Sequence, residues 1–126
     1  MSTVLITGGA GFLAGHAAAD FAAQGWQVLA IDRPQARSAS AVPGVRYVPM
    51  QLPTPEFGAL LAQERPDACL HCAGSASVPL SMEDPAGDYR ANVHLTFEVL
   101  EALRKNAPSC RFVYLSSAAV YGDPAT

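Results

Sequence analysis

"LITGGAGFLAGH", Leu5 to His16, crowds four glycines, Gly8, Gly9, Gly11 and Gly15, between one apolar run and the next. A glycine inside an ordinary helix costs about 1 kcal/mol relative to alanine, so such clustering means that the backbone itself is required. On the amino-terminal side stands TVLIT (Thr3 to Thr7), a β-branched run that reads as a strand. On the other side Leu13, Ala17, Ala18, Phe21 and Ala22 recur on one helical face, and Gly25 is placed to end that helix. The glycines therefore occupy a strand-to-helix turn, where unpaired N–H groups and the positive end of a helix dipole can meet an anion. Gly8 permits the tight turn, Gly11 lets the backbone approach a pyrophosphate, and Ala14 is small enough for the helix to pack on a sheet. Asp32 closes the next strand, WQVLAID (Trp26 to Asp32), where a carboxylate can accept hydrogen bonds from an adenosine ribose. That combination reads as a dinucleotide site rather than a merely tight turn.

The rest of the chain continues the alternation. ARSASAVPG (Ala36 to Gly44) reads as a polar loop before a third strand, VRYVPM (Val45 to Met50). Pro55 to Glu64 forms a helix with Phe57, Leu60 and Leu61 inward, and Pro66 ends it before a fourth strand, Ala68 to Cys72. From about Pro85 to Asn106, Tyr89, Val93, Phe97, Leu100 and Leu103 recur at helical spacing, and RFVYL (Arg111 to Leu115) makes a fifth strand. Nearly continuous apolar strands alternating with helices predict a parallel sheet covered on both faces. Right-handed crossovers then predict an α/β, doubly wound Rossmann fold of five strands, with strand one near the middle. Residues 1–126 read as one domain without repeats or linkers, ending at YGDPAT with nothing to pack behind it.

Composition narrows the partners. The formal charge is −3 and there is no basic run, which argues against nucleic acid or an anionic membrane surface. No segment approaches the roughly 20 apolar residues of a membrane span, and Met1 leads into a strand without a charged signal-peptide start, so a cytoplasmic protein is expected. The three cysteines are too few for a disulfide framework. Cys69 and Cys72 flank His71 in a C-x-x-C, but on a buried strand residues three apart point to opposite faces. Buried structural thiols are expected, with no metal site. His16, His71 and His94 share no obvious site, and His71 is placed to support a cofactor loop through a hydrogen bond.

TGGAGFLAGH, Asp32, HCAGSASV after strand four, YRANV in the long helix and LSSAAVYGDP after strand five together resemble the extended short-chain dehydrogenase/reductase family. Within it they are similar to the NAD-dependent nucleotide-sugar epimerases and dehydratases of the UDP-glucose 4-epimerase type. The resemblance runs along this whole chain but matches only the amino-terminal part of such a protein. It implies NAD contacts from Gly8, Gly11, Phe12, Leu13, Asp32, Ala73, Gly74 and Asn92, with Arg33, Gln51, Leu52 and Ser75 beside them. It casts Ser117 as the active-site hydroxyl, although two serines after a strand are also ordinary turn chemistry. The chain departs from the family at Ala14 and Gly15, often Gly and Ser there. It departs again at Gln51, where an acidic residue usually meets the adenine amino group and where an amide oxygen can accept the same bond. Arg33 leaves a 2′-phosphate cofactor open, but Asp32 would repel that phosphate, so NAD is the expected cofactor.

The family's catalytic pair is Y-x-x-x-K. Four residues after Tyr47, Tyr89, Tyr114 and Tyr121 stand Gln51, Val93, Ala118 and Ala125, and the only lysine is Lys105. The pair is absent from these residues and is expected beyond Thr126, with the substrate domain. The resemblance thus implies an epimerase of a UDP-sugar working by transient hydride transfer to bound NAD, of which this chain binds NAD only. It also implies a homodimer of the longer protein through the long helix and the one after it, so Val93, Phe97 and Leu100 lack part of their cover. Dehydratases of the family carry Asp-Glu where this chain has Ala118 and Ala119, which ranks dehydration lower. A reductase or dehydrogenase on the same scaffold and a non-catalytic dinucleotide sensor stay open.

Overall fold

Apolar strands with short loops between them and helices are built into a single parallel sheet. The computed structural model describes residues 1–36 and 41–123. The elements are β1 (Thr3–Thr7), α1 (Phe12–Ala23), β2 (Gln27–Asp32), β3 (Val45–Pro49), α2 (Pro55–Glu64) and β4 (Ala68–His71). After these come α3 (Val78–Glu83), α4 (Pro85–Tyr89), a π-helical turn over Arg90–His94, α5 (Leu95–Asn106), β5 (Arg111–Tyr114) and a 3₁₀ turn over Ala118–Tyr121. All pairings are parallel, in the order β3-β2-β1-β4-β5, so β1 lies in the middle as expected. The chain reverses its direction of travel across the sheet between β1 and β4, the switch point beside which ligands of open α/β sheets bind.

The register divides the strand side chains between two layers. Leu5 pairs with Leu29 on β2 and Cys69 on β4, and these point to one face, packing with Phe57 and Leu61 of α2 and Val99 and Leu103 of α5. Val4, Ile6 and Val28 point the other way, against Ala14 and Ala18 of α1. Cys69 belongs to the first layer and Cys72 packs against the second, so the two thiols do face opposite ways.

Two local features, the face of α1 and the short helix α3, differ from the sequence reading. Leu13 is 61% exposed, and Ala14 with Ala18 makes the buried stripe of α1, because small side chains let this helix lie close to the sheet. The stretch from Pro85 to Asn106 is helical throughout, as expected, started by Asp84 accepting from the Gly87 N–H, but it contains a π-helical turn in which the Leu95 N–H reaches back five residues to the Arg90 carbonyl. α3 was not expected at all; its six residues bury nothing and carry no apolar period, and it is started by Ser77, whose hydroxyl accepts from the Leu80 N–H. Val93, Phe97 and Leu100 lack cover as expected and face outward with Tyr89, while Val99 and Leu103 hold α5 to the sheet. The expected loop over Ala36–Gly44 and the tail to Thr126 fall partly outside the described residues.

Leu61 has no exposed surface. Leu61→Ala is expected to cost about 2–5 kcal/mol through lost burial and a cavity, whereas Leu13→Ala should change stability by less than about 0.5 kcal/mol. Urea unfolding of the two variants checks both.

Candidate functional site

The glycine turn is shaped by what lies against it. Gly8 has φ +66°, and a Cβ there would stand 2.7 Å from the Ala73 backbone nitrogen. The turn is closed by the Gly11 N–H donating to the Gly8 carbonyl at 2.9 Å and pinned to β2 by the Gly9 N–H donating to Ile31 at 2.9 Å. Gly11 is the N-cap of the 12-residue α1, with no side-chain cap and no acidic residue in the first turn. A Cβ on Gly11 would meet only the Gly8 carbonyl oxygen within 4 Å, so the space above these amides is open. The first-turn N–H groups of α1, which have no intrahelical partner, form an open cradle at a helix dipole's positive end that fits a pyrophosphate. Phe12 and Leu13 project from the same turn and are exposed.

Asp32 ends β2 beside this cradle. Its Oδ2 accepts from the Ala10 N–H at 3.0 Å and its Oδ1 from the Arg33 N–H at 2.7 Å, with Arg33 Nε 4.0 Å away. Each oxygen keeps a lone pair for a further donor. A cavity of about 310 Å³ opens here, lined by Ala10, Asp32, Arg33, Tyr47 and Pro49 among others. Neither Gln51 nor Leu52 lines it. Leu52 is buried in the core beside Phe57, and the exposed Gln51 donates through Nε2 to the Leu52 carbonyl at 3.3 Å. A second cavity of about 360 Å³ lies between α2 and α5, away from the glycine turn.

The opposite wall is the loop Ala73–Ser75. Gly74 has φ +155°, and a Cβ there would lie 2.6 Å from Asn92 Oδ1. The Asn92 side chain accepts from the Ser75 N–H at 2.9 Å and donates to the Ser75 carbonyl and to Asp88 Oδ1, each at 3.0 Å. Asn92 therefore grips the loop from behind, out of the π-helical turn. His71 does not bond the loop directly. Its Nδ1 lies 2.7 Å from Thr7 Oγ1, which itself accepts from the Ala73 N–H at 3.2 Å, and its Nε2 lies 3.1 Å from Thr96 Oγ1. Sequence reading missed Thr7, Asp88 and Thr96; the spacing Asp88, Asn92, Thr96, four apart on a helix, was the available signal.

Ser117 lies past β5, exposed, and its hydroxyl oxygen accepts from the Ala119 N–H at 3.1 Å to start the 3₁₀ turn. That bond engages a lone pair and not the hydroxyl proton. Burial pushes the thiols of Cys69 and Cys72 up and that of Cys110 up to about 11, so all three stay protonated near neutral pH. The described residues contain no group of three His, Cys, Asp or Glu side chains arranged to hold a metal. No helix among them is long and apolar enough to cross a membrane.

Residues 4–126 match the model of the NAD dependent epimerase/dehydratase family. The chain is 30% identical to a CDP-paratose 2-epimerase of Salmonella typhi, over 95% of this chain and 38% of the relative. It is 35% identical to a D-erythronate dehydrogenase of Haemophilus influenzae, over 94% of this chain and 39% of that protein. Among solved structures, a UDP-glucose 4-epimerase of Brucella ovis in complex with NAD superposes with a TM-score of 0.90 at 35% identity, covering 100% of this chain and 39% of that one. The chain thus spans well under half the length of the relatives it matches.

Two outcomes test this geometry. Gly74→Ala should cost about 1–3 kcal/mol, because the alanine must hold a positive φ with its Cβ against Asn92. Burial depresses the His71 pKa below the ordinary value of 6.5. Below that value the unfolded chain binds the proton more readily than the folded one, so His71's share of stability is full above about pH 6.5 and is lost as pH falls. The drop in urea midpoint between pH 7.5 and pH 5.5 should therefore be smaller in His71→Gln than in the parent protein.

Proposed function

Because the chain belongs to the NAD dependent epimerase/dehydratase family, we propose that residues 1–126 form the dinucleotide-binding domain of an NAD-dependent epimerase of a nucleotide-activated sugar, a UDP-sugar foremost. The observation that carries this reading is the likeness along the whole chain to an NAD-bound UDP-glucose 4-epimerase. The open anion cradle beside the Asp32 carboxylate supports it independently. Gly8, Gly11 and the first-turn amides at Phe12 and Leu13 would hold the pyrophosphate. Asp32 would accept the ribose hydroxyl protons on its remaining lone pairs, and its charge disfavours a 2′-phosphate. Arg33 would border the adenosine cavity, Ala73, Gly74 and Ser75 would form the facing wall, and Asn92 would act through that wall.

NAD, when bound, supplies a hydride acceptor and donor at the carbon to be inverted. Ser117 would donate its hydroxyl proton as a hydrogen bond to the reacting sugar oxygen. A serine cannot move that proton alone, and no Y-x-x-x-K occurs in these residues. This chain by itself would bind NAD without turnover, and the longer protein would supply the base. In the longer protein the outward face of Tyr89, Val93, Phe97 and Leu100 would meet a second copy, and the enzyme would work in the cytoplasm. The likeness to a D-erythronate dehydrogenase favours a second reading, net oxidation of a hydroxy substrate on the same scaffold.

Calorimetry on this chain should detect NAD binding, abolished by Gly11→Val and weakened for NAD more than for NADP by Asp32→Ala. A folded sample that binds neither cofactor overturns the reading. In the longer protein, UDP-glucose should convert to UDP-galactose, with kcat lowered about 10²- to 10³-fold by Ser117→Ala through loss of one preorganised donor. NADH accumulating without an epimer would support the dehydrogenase instead.

A further inference from the structure

The Ala73–Ser75 loop is tied at both ends, and the two ties are joined. The Ala73 N–H donates to Thr7 Oγ1, Thr7 meets His71 Nδ1, His71 Nε2 meets Thr96 Oγ1, and Thr96 donates to the Asn92 carbonyl at 2.6 Å. The Asn92 side chain then returns to Ser75. The circuit begins and ends on one three-residue loop. Thr7 has no exposed surface and His71 is 2% exposed, with the rings of Phe112 and Tyr114 against the imidazole, so solvent does not replace a missing partner.

Only one protonation state makes these four bonds and also leaves no hydroxyl proton without an acceptor. Thr96 spends its single hydroxyl proton on the Asn92 carbonyl, so towards His71 it can only accept, and Nε2 must carry a hydrogen. Thr7 already accepts from Ala73, and its own proton needs the lone pair of an unprotonated Nδ1. The other tautomer sets lone pairs against each other at Thr96, and the imidazolium strands the Thr7 proton. Burial, which disfavours the charged ring, works in the same direction.

We propose that His71, as the neutral Nε2–H tautomer, is a positioning residue of the dinucleotide site: it transmits a one-directional hydrogen-bond relay from β1 to the π-helical turn and so fixes the Ala73–Ser75 wall against the glycine turn. The assignment to a dinucleotide site rests on the function proposed above; the relay itself does not. His71 acts without touching a ligand.

Three readouts on the purified protein test it. Without cofactor, the ¹⁵N shifts of His71 at pH 7.5 should be pyrrole-like at Nε2 and pyridine-like at Nδ1; the opposite tautomer or an imidazolium overturns the proposal. His71→Leu should lower amide-exchange protection at Ala73 and Ser75 by about tenfold or more, the effect of leaving a buried hydroxyl unpaired, and leave Leu29 in β2 unchanged. His71→Gln, whose amide can accept from Thr7 and donate to Thr96, should restore it. Unchanged protection, or a uniform loss across the sheet, overturns the proposal. If His71→Leu does not fold, Thr96→Val breaks the relay from the helix side and is held to the same outcomes. NAD affinity should fall about tenfold in the broken-relay variants and recover in His71→Gln; equal affinity in all of them overturns the positioning role. Failure of the parent protein to bind NAD would remove the proposed function alone, since tautomer and exchange still decide the relay.

Discussion

The carboxyl edge of the sheet depends on one close approach. At Gly8 the end of β1 and the segment leaving β4 lie so near that a methyl group there would stand 2.7 Å from the Ala73 nitrogen. A gap of one methyl between parallel neighbours would separate the glycine turn from the Ala73–Ser75 loop and open the crevice between them. Because the sheet reverses its winding there, the two segments diverge on either side of the sheet plane after that contact. A ligand lying across the strand ends would therefore touch both.

The second wall is rigid for a different reason. Its polar backbone groups are taken by side chains, Thr7 of β1 at Ala73 and Asn92 at Ser75, and Asn92 stands on a turn of unusual pitch. A π-helical turn widens the helix by one residue and re-aims the next helical segment. Here the widened turn carries Asn92, which bonds Ser75 directly, and leads into Thr96, which meets His71 behind Thr7. Asp88, one α-helical turn earlier, fixes the rotamer of Asn92 by accepting its second amide hydrogen. Backbone irregularity and side-chain satisfaction thus occur in the same short stretch of helix.

Legibility in the sequence tracked physical range. The strands, the glycine turn and Asp32 were legible, because runs of apolar residues, a glycine cluster and a strand-end carboxylate are local signals. The central place of β1 came from handedness. The π-helical turn was not legible, since no spacing of residue types announces one extra residue in a turn. α3 was invisible because a six-residue helix with no buried face has no period to detect. Leu13 was misplaced because the apolar pattern fits two rotations of α1, and only the closeness of the sheet selects the one led by Ala14. The Thr7–His71 contact spans 64 residues and exists only once β1 and β4 are in register, so no local pattern could reveal it.

The four glycines of the opening stretch are not equivalent. Gly8 and Gly9 are hemmed in, one by the Ala73 backbone and the other by the Ala30 side chain 2.6 Å from where a Cβ would be. At Gly15 a Cβ would find nothing within 4 Å. A library randomised at these positions would return glycine at the first two and a spread of helix-favouring residues at Gly15. The motif's information is concentrated where two backbones nearly collide, and its last glycine is a position that sterics leave free to drift.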